Sequence, residues 1–230
     1  MPITVLIVAS HPDDEILGVG GTAAVHATRG DRVVTMIMAE GATSRDPVRD
    51  AKARGPELAA LKAAAAAAAK ALGLEPPRFG GLPDNRMDGC ELLDVVKIVE
   101  TLIADVEPDV VYTHHGADLN VDHRITHQAV LTACRPLPGT KPRAIYSFET
   151  VSSTEWSSAD VGPTFRPQLY VDISPVLDRK LKALGAYQGE MRAFPHARSI
   201  DAVAALARLR GSQAGCHAAE AFMLLRQVVR

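Results

Sequence analysis

Two short segments of this sequence are rich in side chains that can do chemistry. The first is Ser10-His11-Pro12-Asp13-Asp14-Glu15; the second is His114-His115-Gly116-Ala117-Asp118-Leu119-Asn120-Val121-Asp122-His123-Arg124. Each sets imidazoles beside carboxylates within a few residues. Two histidines and one carboxylate, with a further position left open, form the ligand set of a hydrolytic zinc site. Water held there ionises near neutral pH, with a pKa of about 7, and becomes a nucleophile. A second carboxylate beside the metal, not bound to it, can take the proton from that water. Asp13 and Asp14 suit such a division, because neighbouring side chains do not easily reach one ion in the same way. Standing alone, the first segment would also suit a turn, with Pro12 fixing φ and the aspartates capping a helix. Paired with the second segment it reads better as half of a shared site, and capping can coexist with that role.

Both segments follow apolar runs. Ile3–Ala9 is unbroken and largely β-branched, and Asp109–Thr113 is a similar run ending in polar residues. Such runs are strands buried on both faces, as in a parallel sheet. A helical pattern over Gly18–Thr28 and a second apolar run, Arg32–Ala39, complete a strand–helix–strand unit with a right-handed crossover. Parallel strands would put both segments at one edge of the sheet, where open α/β sheets bind ligands.

Beyond these, Asp46–Leu72 reads as helical with a break at Gly55-Pro56, and Gly73 is placed as a C-cap. A short strand at Arg78–Gly80 leads to a loop, Leu82–Gly89. Helices are expected over Leu92–Val106 and Ile125–Cys134, strands over Arg143–Glu149 and Leu169–Ile173, then helices over Pro175–Gln188 and Ile200–Gln213. The final segment, Ala218–Val228, carries no assignment. The alternation predicts one α/β domain spanning residues 1–230, a Rossmann-like three-layer sandwich with a mostly parallel sheet.

The chain has 230 residues, is 47% hydrophobic, and carries 25 basic and 27 acidic residues for a net charge of -2. That supplies material for a core and gives no electrostatic reason to expect nucleic acid or an anionic membrane. Three dispersed cysteines form neither a disulfide framework nor a CxxC knuckle. No run approaches the about 18 apolar residues of a spanning helix, and the apolar N-terminus lacks a basic leader; a soluble, cytoplasmic protein is expected. Gly18, Gly20 and Gly21 hint at phosphate binding, so a non-catalytic nucleotide-binding module is the alternative from another class. Their order is not GxGxxG, and the nearby carboxylates would repel a pyrophosphate.

HPDDE at His11–Glu15 and DLNVDHR at Asp118–Arg124 resemble the LmbE-like family, also called PIG-L after N-acetylglucosaminyl-phosphatidylinositol de-N-acetylase. LPDNRMD at Leu82–Asp88, and a tail with His196, Arg198, Gly215, Glu220 and Phe222, extend the resemblance over most of the chain. It implies a Rossmann-like zinc amidohydrolase that removes acetyl from an N-acetylated amino sugar or sugar conjugate, working as a homo-oligomer. Carried over, His11, Asp14 and His123 would hold one Zn2+, and Asp13 would be the general base. Such donors also accept other divalent ions. Arg54, Asp84 and Arg86 lie in segments where the family binds the sugar, and His115 and His196 are further candidates for substrate contact. Asp122 is expected to orient His123 or brace its loop. One departure matters: several members carry histidine three residues before the last ligand, where this chain has Asn120. Asparagine can donate a hydrogen bond to an oxyanion, a contribution of ~3 kcal/mol in other hydrolases, but cannot supply a proton. The acid role then falls to His115, His127, His196 or Asp13 itself. An amidase acting on another conjugate, such as a thiol conjugate, is the alternative within enzymes.

Overall fold

The computed structural model describes residues 1–139 and 141–229. Seven strands form one sheet: β1 (Thr4–Ala9), β2 (Arg32–Ala39), β3 (Arg78–Leu82), β4 (Val110–His114), β5 (Ala144–Phe148), β6 (Leu169–Asp172) and β7 (Ala219–Gln227). Among the described residues six α-helices accompany them: α1 (Asp14–Thr28), α2 (Gly55–Leu72), α3 (Leu92–Val106), α4 (Val121–Ala133), α5 (Leu177–Leu184) and α6 (Ile200–Ala214). The strand order is β3-β2-β1-β4-β5-β7-β6, and all pairs from β3 to β5 are parallel. Strand β7 runs antiparallel to both neighbours. The chain therefore reverses its direction of winding between β1 and β4, and the crevice outside a sheet's carboxyl edge opens at such a point.

Alternation along β1 divides the core. Leu6 and Val8 face α3 and α4, with Val95, Val96, Val99, Ala129 and Val130. Val5, Ile7 and Ala9 face α1, with Val19 and Ala23. Both faces are covered, so this strand has no polar alternation to show. Helices α1, α2, α5 and α6 build the second layer around Ile16, Leu72, Ile173, Tyr187 and Ala207.

Several boundaries differ from the sequence expectation. α1 begins at Asp14, not near Gly18, because Asp14 and Glu15 are buried in its first turn. α4 begins at Val121, four residues early, with Asn120 as its N-cap. The stretch before Gly55 is turns, held by Asp50 accepting from the Lys52 and Ala53 N–H groups. Ala218–Val228 holds the strand that wedges between β5 and β6. The glycines of α1 serve packing: a Cβ on Gly18 would enter the Phe148 ring, and one on Gly21 would lie 2.8 Å from Ile173. That removes the phosphate-binding reading of these residues.

A buried ion pair ties the layers together. Lys180 on α5 sits 2.6 Å from Glu220 on β7 and donates to the Leu17 carbonyl of α1 at 2.8 Å. Glu220 also accepts from the Gly21 and Thr22 N–H groups. Among the described residues, no helix is long and apolar enough to cross a membrane.

Candidate metal centre and active site

The loop after β1 and the first turn of α4 meet at the switch point. His11 Nδ1 lies 3.1 Å from Asp14 Oδ2, His123 Nε2 lies 3.1 Å from the same oxygen, and the two nitrogens are 3.3 Å apart. Tetrahedral ligands at about 2.0–2.1 Å from a zinc ion stand about 3.3–3.4 Å from one another. The donor triangle, with edges of 3.1, 3.1 and 3.3 Å, comes within about 0.2–0.3 Å of that spacing. All three residues are buried, and Asp14 Oδ1 has no hydrogen-bond partner.

Each imidazole has its own carboxylate behind it. His11 Nε2 lies 3.0 Å from Asp122 Oδ2, and His123 Nδ1 lies 3.1 Å from Asp118 Oδ1. A proton on each outward nitrogen leaves the inward lone pairs free for a cation, the usual support of metal-binding histidines. Of the two roles expected of Asp122, the orientation of His123 falls to Asp118, while the ring that Asp122 faces is His11. Asp122 also accepts from the Asn85 and Met87 N–H groups, at 2.7 and 2.9 Å. Asp118 is fixed by the Ser153 and Thr154 hydroxyls and by the Asn120 N–H.

The electrostatics call for positive charge. Burial lowers the His11 pKa, yet the Asp122 and Asp14 carboxylates outweigh it and hold the ring at about 10. Burial likewise opposes, and Asp14 and Asp118 overcome, the rise at His123. Asp14 is pushed up by burial but driven well below the carboxylate range by His123, His11 and His114. A field that holds protons on buried imidazoles attracts a metal cation by the same means. Asp84 and Asp122 also approach His11 Nε2 closely enough to form a second candidate donor group. That nitrogen is the proton-bearing one when Nδ1 ligates, which favours the first group.

Asp13 stands apart from its neighbour. It is fully buried at the N-cap of α1 with φ of 110°, a conformation costly for a residue with a side chain. Its Oδ2 accepts from Arg198 Nη1 at 2.9 Å, and its Oδ1 has no partner. Burial lifts its pKa well above the usual value, Arg198 opposes this, and Asp14 and Glu15 add to the rise.

The cavity at this centre has a volume of about 130 Å³, with His11, Asp13, Ser44, Arg45, Asp84, Asn85, Asn120, Glu190 and Arg198 among its walls. Asn120 spends its Oδ1 on the Asp122 N–H that opens α4 and donates to Asn85 Oδ1 at 2.7 Å. Asp84 is buried, accepts from the Ser44 N–H and lies 3.5 Å from His11. Arg54 is held outside by Asp46 and Glu57, and Arg86 reaches the Pro47 carbonyl. Sugar contact was expected of both, but local acidic and carbonyl partners hold them off the cavity. His115 Nε2 is 2.9 Å from the Pro163 carbonyl, in a neighbouring cavity with Phe165 and Arg210. His196 accepts from the Arg198 N–H through Nδ1 and meets Trp156 edge-on, outside the cavity walls. His114 stacks on His123 and accepts the Ser10 N–H through Nε2. Arg198, Asp118, Asn85, Arg45 and Glu190 had no role assigned from sequence. Asp118 lay within the second motif, five residues before His123, and was recoverable; Arg198 stood in the tail of the resemblance without a role, and nothing local marks Glu190.

A buried two-histidine, one-carboxylate centre at the switch point of a Rossmann-like sheet is the class of site described. Residues 6–134 match the family described as PIG-L: GlcNAc-PI de-N-acetylase, and the chain belongs to that family. The Escherichia coli (strain K12) protein called uncharacterized deacetylase YaiS is 29% identical over 174 residues, covering 74% of this chain and 81% of its own length. A probable N-acetyl-alpha-D-glucosaminyl L-malate deacetylase 2 of Bacillus cereus is 28% identical over 194 residues, covering 83% and 84%. The fold matches the crystal structure of GalB, the 4-carboxy-2-hydroxymuconate hydratase of Pseudomonas putida KT2440. Its TM-score is 0.79 at 23% identity, over 100% of this chain and 98% of that one.

Proposed function

We propose that this protein is a zinc-dependent de-N-acetylase acting on an N-acetylated amino sugar or sugar conjugate. The observation that carries the reading is the 3.1–3.3 Å triangle of His11, Asp14 and His123 donors with a second buried carboxylate, Asp13, beside it. Family membership and the deacetylase relatives support it. His11 Nδ1, Asp14 Oδ2 and His123 Nε2 would hold the ion. Bound there, zinc supplies Lewis acidity, which polarises an amide carbonyl and makes water acidic near neutral pH.

The remaining work falls to the chain. Asp13 takes the proton of the attacking water at its free Oδ1 while Arg198 holds Oδ2. Water adds to the acetyl carbon, the C–N bond breaks, and the amine leaves with one proton. His115 and His127 are committed to backbone carbonyls, and His196 lies outside the cavity walls, so we assign delivery of that proton to Asp13 as well. Ser44, Asp84, Asn85 and Asn120 offer hydrogen bonds to hydroxyls in a polar cavity. The products are acetate and a free amino sugar.

The test pairs metal content of the purified protein with amine release from a panel of N-acetylated sugars and conjugates. Activity with bound zinc, abolished by Asp13→Asn while the metal stays, is the expected result. A chain that takes up no divalent ion even after reconstitution would sink the reading.

A further inference from the structure

Asp13 and Asp14 are consecutive, both buried, and both beside the same donor cluster, yet they differ in what they touch. Asp14 turns Oδ2 to His11 and His123. Asp13 is not a member of the group whose donor atoms lie within 4.8 Å of one another among the described residues. Adjacency makes it hard for both to reach one ion in the same way, but Asp13 still lines the same cavity as His11. A buried carboxylate near a divalent cation is drawn onto it, since attraction in a poorly solvated site far exceeds that in water.

What opposes that pull is one guanidinium. Arg198 Nη1 donates to Asp13 Oδ2 at 2.9 Å, and Arg198 Nε donates to Ser152 Oγ at 2.7 Å. Ser152 is itself fixed: its φ is 64°, and its N–H donates to Glu155 Oε1 at 2.5 Å. The Arg198 backbone is pinned by its N–H to His196 Nδ1 and by its carbonyl, which accepts from the Arg192 N–H. The arginine is thus held from two sides, and its planar fork sets the direction of the carboxylate as well as its charge.

We infer that Arg198 is the positioning residue that separates the two aspartates, holding Asp13 clear of the metal position so that Asp14 ligates and Asp13 stays available as base. The inference rests on the function proposed above for the meaning of "base", but its structural half does not. Without the guanidinium, Asp13 would turn onto the ion as an additional ligand and lose its lone pair to coordination.

The experiment uses cobalt(II)-substituted protein, whose visible bands weaken when a four-coordinate centre gains a ligand. Wild type, Arg198→Met, Arg198→Lys, Ser152→Ala and the double variant Arg198→Met/Asp13→Asn are compared. Expected are weakened bands in Arg198→Met, a smaller change of the same sign in Ser152→Ala, and wild-type-like intensity in the double variant. In parallel, kcat for amine release from the zinc enzyme should fall about 10- to 100-fold in Arg198→Met, the loss of one charge-assisted hydrogen bond. KM should stay within about twofold, and methylguanidinium should restore part of the rate. Identical cobalt spectra in wild type, Arg198→Met and Ser152→Ala would overturn the inference, as would a rise in KM at unchanged kcat. If Arg198→Met does not fold, Arg198→Lys and Ser152→Ala carry the same spectral test. Expected spectra with no amide hydrolysis by wild type would leave the inference standing and remove the function instead.

Discussion

The donor cluster and its supports come from different parts of the chain. The candidate metal donors sit in two short segments at the ends of β1 and β4, paired strands at the centre of the sheet. Arg198, which holds Asp13, and Lys180 and Glu220, which anchor α1, belong to the last third, as much as 199 residues away from their partners. The first region supplies the reactive atoms and the carboxylates behind its two imidazoles, and the second holds Asp13 and α1 in place. Ligand identity is therefore local in sequence, whereas ligand geometry is a tertiary property.

Four outcomes would break or sharpen this contrast. Asp13→Asn strikes the first region alone, and kcat should fall about 10²–10⁴-fold with stability and metal content retained. Steady-state kinetics with metal analysis checks it; loss of the metal would show that Asp13 also ligates. Lys180→Met strikes the second region, leaving Glu220 buried without its partner. It should destabilise the fold by about 3–5 kcal/mol in urea unfolding, and a neutral result would mean that α1 does not depend on the tail.

Asp118→Asn and Asp122→Asn test whether both imidazoles need their carboxylates. Each should weaken zinc affinity about 10- to 100-fold in chelator competition, through His123 and His11 respectively. The smallest effect belongs to a pair remote from both regions. Burial raises the Asp31 pKa, but the His26 hydrogen bond and the Ile3 N–H outweigh it and hold the carboxyl below its ordinary value. A depressed folded-state value means stability that is present above about pH 4 and lost as pH falls further. Asp31→Asn should flatten the urea midpoint between pH 5 and pH 3, as read in titrations at about those values, and leave zinc binding untouched.

The contrast also marks where sequence reading succeeds. The buried strands β1, β2 and β4 announce themselves as apolar runs, and the two motifs stand at their ends, so the centre was legible. α1 and α4 start earlier than periodicity suggests because their first turns bury charged ligands, and burial of Asp14 or His123 looks like polar loop in a hydrophobicity pattern. Arg54 and Arg86 resembled sugar contacts, but nearby Asp46, Glu57 and the Pro47 carbonyl hold them. Strand β7 stayed unassigned because Leu224 faces solvent while Phe222 is buried, and its antiparallel pairing has no local signature. Arg198 lies in a turn whose neighbours say nothing of Asp13.

The place of β7 also bears on the order in which the molecule is made. As the chain leaves the ribosome, β5 lacks its outer neighbour and β6 has nothing to pair with until residues 219–227 have emerged. Domains generally fold as units during synthesis, so the sheet can close on α1 only once this strand is present. Glu220 arrives with that late strand, and only then can Lys180 lock α1. The candidate donors of β1 and β4 therefore leave the ribosome long before the residues that clamp α1 beside them.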